Sequence, residues 1–355
     1  MTASLGEGTP NAIPAEMLAF YCPFDEEVNP QAETLRERTL AWAERYDLGE
    51  GNKARTVQFA LTGSALIAHC YPHARGELAQ ALSDYSAWAW LANDHVGRAR
   101  PSSEDLAEFG RWGRIMCSPD SWPSSQRPGD AALRDSFLRL RECMTPVQWQ
   151  RFVVPQAHWL YGMAWESALH EKGGESQVND YLATRITSGG ALASPGYLDA
   201  VEGIELDERQ WARHDVRAAT EALMTAAALD NDRYSHLKER KMESRKHNLF
   251  DVLRREHPDY SRTQAIHEGI AVIDRFVNLY LALRDQILPD ASADLKRYLT
   301  AVERIFSGNF SFCVSATRYL RPDQASAISR TTVPSVLGTA PLPYPTVAWW
   351  WDQLT

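Results

Sequence analysis

The stretch from Asn231 to Glu239 contains the side chains best suited to chemistry in this chain. Asn231, Ser235 and Glu239 are spaced by four residues, so on a helix all three project from one face. An amide oxygen, a hydroxyl and a carboxylate are hard oxygen donors of the kind that bind Mg²⁺, whose coordination is usually completed by water and substrate phosphates. Lys238 could contact a phosphate oxygen as a point charge. The alternative is a polar helix face on which these residues are incidental.

The surrounding sequence predicts long helices that would position this face. Apolar residues recur at three- and four-residue intervals in residues 31–48, 79–95, 211–242 and 263–288. No alternating β pattern of useful length and no glycine-rich phosphate loop are visible. We therefore expect an all-α fold in one domain over residues 31–330. An extended arm of residues 1–30 would precede it. A Pro/Trp-rich tail of residues 331–355 would pack over the domain surface or near a pocket mouth.

Composition and charge exclude several classes of function. The 355 residues are 44% hydrophobic and 23% charged with a formal net charge of −9, and no basic run offers the cationic surface that nucleic-acid binding needs. The five cysteines are odd in number and never spaced as CxxC, which argues against a disulfide framework and a zinc site. No signal peptide is visible, and no apolar run approaches the ~20 residues of a membrane span. We expect a cytoplasmic protein without a membrane span. The motifs HExxH and GxSxG are also absent.

Residues 231–239 resemble the second metal motif, NDxxSxxKE, of the bacterial class I terpene synthases. The match is complete, at Asn231, Asp232, Ser235, Lys238 and Glu239. The resemblance implies a single-domain class I terpene synthase-like (isoprenoid synthase) helical bundle around a central apolar pocket. It also implies that Asn231, Ser235 and Glu239 hold one Mg²⁺ and that Lys238 contacts the substrate diphosphate.

Further landmarks of this family follow in order along the chain. Arg185 lies 46 residues before Asn231, where the family keeps an arginine that senses the diphosphate. Ser188 and Gly189 match the positions of a helix break at which a backbone carbonyl is thought to help trigger ionisation, and glycine adopts non-helical dihedrals cheaply. Near the C-terminus, Arg318-Tyr319 resembles an Arg-Tyr pair that binds the diphosphate as the site closes.

The first metal motif departs from the family pattern. The family has an aspartate-rich DDxxD or DDxxxE, whereas residues 93–97 read Asn-Asp-His-Val-Gly. Asn93 replaces the leading Asp, Gly97 replaces the trailing acid, and Asp94 alone keeps a carboxylate. Three interpretations remain open. Asn93 donates one oxygen weakly while Asp94 supplies the charge, or the helix register shifts so that Asp94 takes the leading role, or the metal cluster is incomplete.

The resemblance implies a Mg²⁺-dependent terpene cyclase, a lyase that ionises a linear prenyl diphosphate and cyclises the carbocation to a terpene hydrocarbon or alcohol. Three Mg²⁺ ions are implied with the diphosphate, and Mn²⁺ could replace them. Farnesyl diphosphate is favoured, with geranylgeranyl diphosphate close behind. The alternative is a non-catalytic protein that binds a prenyl diphosphate through an incomplete metal cluster. A linear prenyltransferase is disfavoured because it would need two aspartate-rich motifs. Whether the protein is a homodimer stays open.

Aromatic side chains are expected to line the pocket, because their faces stabilise cations. The candidates are Trp88, Trp90, Phe312 and Trp159, with Tyr161 and Trp165 as further possibilities beside Trp159. Ordinary core packing is the alternative for each of them.

Overall fold

The computed structural model describes residues 17–96, 103–123, 127–171, 177–239, 248–316 and 326–355, apart from the side chains of residues 95, 96, 103, 105, 170, 171 and 235–239. Helices dominate these ranges, as the periodicity predicts. They are α1 (Ala32–Arg45), α2 (Lys53–Cys70), α3 (Gly76–Val96), α4 (Ser103–Cys117), α5 (Pro128–Glu142), α6 (Pro146–Glu171), α7 (Val178–Ser188), α8 (Leu198–Glu202), α9 (Glu208–Trp211), α10 (His214–Glu239), α11 (Leu249–Glu256), α12 (Arg262–Ile287) and α13 (Ala293–Ser315).

Local sequence signals determine where several of these helices begin. Ser261 caps α12 with a reciprocal arrangement: its hydroxyl accepts from the Gln264 N–H at 3.2 Å, and the Gln264 side chain accepts from the Ser261 N–H at 2.8 Å. Ser292 caps α13 and Asn248 caps α11 through their side-chain oxygens. These caps satisfy N–H groups that have no partner within the helix.

Glycines allow three pairs of helices to approach closely around the middle of the bundle. A Cβ at Gly63 of α2 would collide with the backbone of Ala87 on α3, and one at Gly308 of α13 would collide with the carbonyl group of His69 on α2. A Cβ at Gly162 of α6 would lie 2.7 Å from the Ser188 nitrogen, at the end of α7. Helices α2, α3 and α13 therefore form one tightly packed side, and α6 with the end of α7 forms another.

Two three-residue strands pair a segment near the start of the described chain with a segment that follows α13 in sequence. Strand β1 (Ala19–Tyr21) pairs in parallel with β2 (Ser329–Thr331). The ladder continues through the Cys22 N–H, which donates to the Thr331 carbonyl at 2.9 Å. Sequence periodicity does not reveal strands this short. Residues of the proposed N-terminal arm are thus part of the packed structure, and Phe20 is buried.

The C-terminal segment packs against helices α10 and α12. Trp350 is buried, and its indole N–H donates to Glu221 on α10 at 3.0 Å. Its ring meets Phe276 of α12 edge-on, with centroids 5.2 Å apart. The tail therefore packs against the helices of the bundle, and the predicted domain boundaries stay a prediction. None of the helices in the described ranges combines the length and apolar character needed to cross a bilayer.

Candidate active site

The second metal motif lies at the C-terminal end of α10, and the described side chain of Asn231 points toward α13. Its amide nitrogen lies 3.7 Å from the Cys313 sulfur, and the residue is half-buried. Burial raises the pKa of the Cys313 thiol well above its usual range, so this neighbour is neutral. The backbone of Ser235, Lys238 and Glu239 continues the helix, which preserves the predicted spacing, while their side chains lie outside the described residues.

The first motif lies near the end of α3. Trp90, one turn before Asp94, packs against Phe312 of α13 with ring centroids 6.2 Å apart. Phe312 precedes Cys313, the neighbour of Asn231. Asn231 and Trp90 therefore contact consecutive residues of α13. Trp90 and Phe312 stay candidates for the pocket wall.

The one carboxylate of the first motif has a cationic neighbour. Asp94 lies with its oxygen 3.7 Å from Nε of Arg55, near the start of α2, and its side chain is 30% exposed. Arg55 also pairs with Glu50 at 3.2 Å. Asn93 is exposed. A divalent cation at Asp94 would compete with the Arg55 guanidinium for the Asp94 carboxylate. The sequence did not reveal this competition.

Two of the aromatic residues that the sequence suggested for the pocket wall, Trp88 and Tyr161, lie in different surroundings from Trp90 and Phe312. Trp88 is fully buried, donates its indole N–H to the Gly129 carbonyl at 2.9 Å, and packs edge-on against Trp112 of α4. It belongs to the core between α3, α4 and α5, because residues two apart on a helix point to different sides. Tyr161 is 68% exposed and faces solvent. Trp165 is half-buried on the same helix.

Helix α7 ends at Ser188, where the sequence predicts a break. The Gly189 N–H still bonds to the Arg185 carbonyl at 2.8 Å, but Gly190 has a φ of +77°, a value that favours glycine and stops the helix. The Trp159 indole donates to the Ser188 carbonyl at 3.0 Å. Trp159 is thereby placed at the break, and the roles of Ser188 and Gly189 in ionisation stay predictions.

Arg185 is held against α10 by two acceptors. Its Nε donates to Asp232 at 3.1 Å, and its Nη2 donates to the Ala228 carbonyl at 2.9 Å. Tyr181, one turn earlier on α7, donates its hydroxyl to the same carboxylate. Burial, together with the charge of Asp232, raises the pKa of Tyr181 well above its usual range, so it remains a donor. Asp232 is part of the matched motif, but its contacts could not be read from the sequence.

A buried charge pair lies beside the motif and was also missed. Arg233 is fully buried, its Cζ lies 3.7 Å from the centre of the Phe20 ring, and it donates to the Ala19 carbonyl at 2.7 Å. It also donates to Asp230 at 3.2 Å. Burial raises the pKa of Asp230 to about 7, and the charge of Arg233 offsets only part of that effect. The only sequence signal is the unusual presence of opposite charges three residues apart in an apolar helix.

The donors fit a hard divalent cation in chemistry. Asn231 and Asp94 offer amide and carboxylate oxygens, the ligand types that Mg²⁺ prefers. Within the described side chains, no group of three or more His, Cys, Asp or Glu residues is close enough to hold a metal ion. A complete cluster would therefore need Ser235 and Glu239, whose side chains are not described. Arg318, Tyr319 and Gly97 also lie outside the described residues.

A cleft of about 830 Å³ elsewhere on the molecule contains none of the predicted site residues. It lies between β1, α12 and residues 331–336, and its lining includes Tyr21, His267 and Asp274. The chemistry-bearing residues point to the region between α3, α10 and α13, and we place the candidate site there.

A helical bundle with an NDxxSxxKE run on one helix and a candidate metal-binding aspartate, Asp94, on another is typical of the class I terpene synthases. Known proteins of this class are similar to this chain. The model of "Terpene synthase family 2, C-terminal metal binding" matches residues 84–278. Diterpene cyclase DtcycB from Streptomyces sp is 38% identical, covering 96% of this chain and 98% of that protein. Phomopsene synthase from Allokutzneria albata is 32% identical, covering 93% and 95%. The (+)-T-muurolol synthase of Streptomyces clavuligerus is 28% identical, covering 94% and 82%.

A solved structure has the same fold. The SVS_A2 protein from ancestral sequence reconstruction superimposes with a TM-score of 0.82 at 28% identity, covering 94% of this chain and 98% of that one. The chain belongs to the bacterial class I terpene synthase family. It is a terpene synthase, an enzyme that binds a prenyl diphosphate, and its family uses a divalent metal. The expected fold class and enzyme class are confirmed.

Proposed function

We propose that the protein is a Mg²⁺-dependent cyclase of geranylgeranyl diphosphate that forms a diterpene hydrocarbon or alcohol. The observation that carries the metal and diphosphate part is the arrangement on α10. Asn231 faces α13, beside the helix that carries Asp94, while Asp232 on the same turn holds Arg185. The residue proposed to bind metal, Asn231, and the residue that holds the proposed anion-binding arginine, Asp232, are thus neighbours on α10.

The choice of a twenty-carbon substrate is supported by similarity. DtcycB, named a diterpene cyclase, is 38% identical over nearly the whole chain. The (+)-T-muurolol synthase, whose name specifies farnesyl diphosphate, is 28% identical. This difference moves the expectation from farnesyl toward geranylgeranyl diphosphate, and farnesyl diphosphate is the second substrate to test.

The residues of this chain would divide the work of ionisation as follows. Asn231, Ser235, Glu239 and Asp94 would hold Mg²⁺, three ions in the proposed complex, and the metal supplies Lewis acidity and charge neutralisation for the leaving diphosphate. Arg185, Lys238, Arg318 and the Tyr319 hydroxyl would bind the same anion as its charge develops. Asn93 would contribute its amide oxygen weakly.

Loss of diphosphate leaves an allylic cation that must be kept from water. Trp90 and Phe312 pack against each other next to the motifs, and their ring faces would stabilise positive charge through their quadrupoles. The Ser188 carbonyl at the helix break receives the Trp159 indole N–H, so Trp159 would hold that carbonyl in place. An apolar wall prevents early capture by water, which would end cyclisation.

The test is incubation of the purified full-length protein with Mg²⁺ and, separately, geranylgeranyl, farnesyl and geranyl diphosphate, followed by mass spectrometry of organic extracts. We expect a cyclic diterpene from the first substrate. A cyclic product from farnesyl diphosphate alone would overturn the proposed chain length. Binding of inorganic diphosphate without product from any substrate would support the non-catalytic alternative for this chain.

Arg185→Lys provides a matched variant for the same assay. Lysine keeps the charge but lacks the planar fork that bonds Asp232 and Ala228 together. We expect product formation to fall at least about tenfold, since hydrogen bonds to charged groups contribute about 1.5–3 kcal/mol. Arg217→Lys is the control, because Arg217 is largely exposed on the same long helix as the motif.

A further inference from the structure

Asp232 is the one residue of the matched motif to which neither metal binding nor diphosphate binding has been assigned. It is only 3% exposed, and it follows Asn231 directly. Its carboxylate accepts from the Tyr181 hydroxyl, from Nε of Arg185 at 3.1 Å and from the Leu249 N–H at 3.2 Å. Three donors from two segments, α7 and the start of α11, therefore converge on one buried charge.

The guanidinium of Arg185 has little freedom in this arrangement. Nε is bonded to Asp232 and Nη2 to the Ala228 carbonyl, two acceptors one turn apart on α10. Because the guanidinium group is planar and its donors are fixed in a fork, two bonds of this kind determine its plane. The arginine side chain is 15% exposed, so it borders the solvent-accessible side of the helix break while its anchor stays buried.

The end of α7 lies beside the Arg185 guanidinium. Among the described residues, the buried Ser188 hydroxyl has no hydrogen-bond partner, although it lies only three residues after Arg185. Gly189 leaves space for the guanidinium, since a Cβ there would lie 3.2 Å from Nη1. Two contacts that orient Arg185 thus come from α10, the helix with the second metal motif.

We propose that Asp232 is a positioning residue that orients Arg185 toward the diphosphate and links this anion contact to the metal ligand Asn231. Neighbouring residues on an α-helix point about 100° apart. One turn of α10 thereby directs Asn231 to the metal and Asp232 to the arginine. The proposal rests on the proposed diphosphate role of Arg185.

A purely structural ion pair is the competing explanation, and the chain contains a matched example. Asp199 is also 3% exposed and pairs with Arg151 at 2.6 Å. Arg151 donates in addition to the Leu206 carbonyl at 2.7 Å, as Arg185 does to Ala228. Neither Asp199 nor Arg151 is a predicted site residue. A buried aspartate that serves stability alone should behave like Asp199.

The experiment compares Asp232→Asn with Asp199→Asn in the full-length protein. Binding of inorganic diphosphate in the presence of Mg²⁺ is measured by calorimetry, stability by urea unfolding, and KM and kcat with the accepted prenyl diphosphate. We expect both variants to lose stability. Only Asp232→Asn should weaken diphosphate binding, by about tenfold, because a charge-assisted bond is lost and an amide N–H faces other donors. KM should rise in proportion.

A second variant and a spectroscopic measurement guard against misfolding. Asp232→Glu keeps the charge and should restore part of the diphosphate affinity. The Nε–H signal of Arg185 in nitrogen-edited NMR, assigned with Arg185→Lys, should exchange slowly with solvent in the wild-type protein and quickly in Asp232→Asn.

The outcomes separate the two proposals. Diphosphate affinity within twofold of wild type in Asp232→Asn, or equal losses in Asp232→Asn and Asp199→Asn, would overturn the positioning role. If the wild-type protein binds no diphosphate with Mg²⁺, the proposed function fails. In that case the NMR measurement alone tests whether Asp232 holds Arg185. An unchanged Arg185 Nε–H signal in Asp232→Asn would overturn the positioning role, and loss of that signal would support the contact between the two side chains.

Discussion

Gly189 is needed because a side chain at this position would not fit, and not because its backbone conformation is unusual. Gly189→Ala therefore tests the packing at the helix break. Its φ of −75° and ψ of 0° are accessible to every L-residue. An added Cβ, however, would lie 2.6 Å from the Arg185 carbonyl oxygen and 3.0 Å from the Cβ of Ala228. The substitution therefore changes packing without demanding a new backbone conformation.

The size of the effect follows from these distances. Ordinary contact begins at 3.4 Å, so the Arg185 carbonyl and the new methyl group must separate by roughly 0.8 Å. The carbonyl is helix backbone and cannot rotate away. Overpacking of this kind costs about 1–3 kcal/mol in the free energy of unfolding. Displacing Arg185 by a large part of an ångström should reduce kcat/KM by about ten- to a hundredfold.

The assay measures urea unfolding and steady-state kinetics of Gly189→Ala beside Gly113→Ala. Gly113 lies in α4, and a Cβ there has nothing within 4 Å. We expect Gly113→Ala to leave kcat/KM unchanged and to raise stability by up to ~1 kcal/mol, because alanine favours the helix. If Gly189→Ala matches wild type within twofold in kcat/KM and shows no loss of stability, the conclusion that this glycine provides space for Arg185 is wrong.

Three further substitutions test the electrostatics of the metal side and the core. Asn93→Asp restores a carboxylate and should lower the Mg²⁺ concentration for half-maximal rate by about tenfold; an unchanged or higher value would favour a shifted register. Arg55→Gln removes the cation beside Asp94 and should lower the same concentration by at most about fivefold, since partly exposed pairs contribute up to ~1 kcal/mol. Burial raises the pKa of Asp84 to about 6, and Arg139 offsets only part of this. The native state then binds a proton that the unfolded state has released, so this residue lowers the free energy of unfolding as pH rises from about 4 to 6, by up to ~3 kcal/mol. In Asp84→Asn, urea unfolding across this range should show that this slope is lost, and an identical slope in both proteins would contradict the raised pKa.

The helices could be predicted from the sequence, because they depend on local spacing. Asn231 lies on a continuous helix, as its periodicity predicts, and the helix before Gly189 ends where the glycines follow. The contacts that decide charge and orientation could not be predicted. The neighbours Arg55 and Asp94 are 39 positions apart in sequence and meet only because α2 and α3 pack through Gly63.

Helix α10 makes contacts on several of its faces. These contacts limit which substitutions can change the pocket without moving the metal motif. Its early turns hold the C-terminal segment through Glu221, and Arg233 holds strand β1. Asp232 holds α7. A substitution on any of these faces changes the position of the motif as well as the local packing. Trp90 and Phe312 belong to other helices, α3 and α13, and pack against each other. Changes at those two residues should therefore alter the product while the dependence of the rate on Mg²⁺ stays that of the wild-type protein.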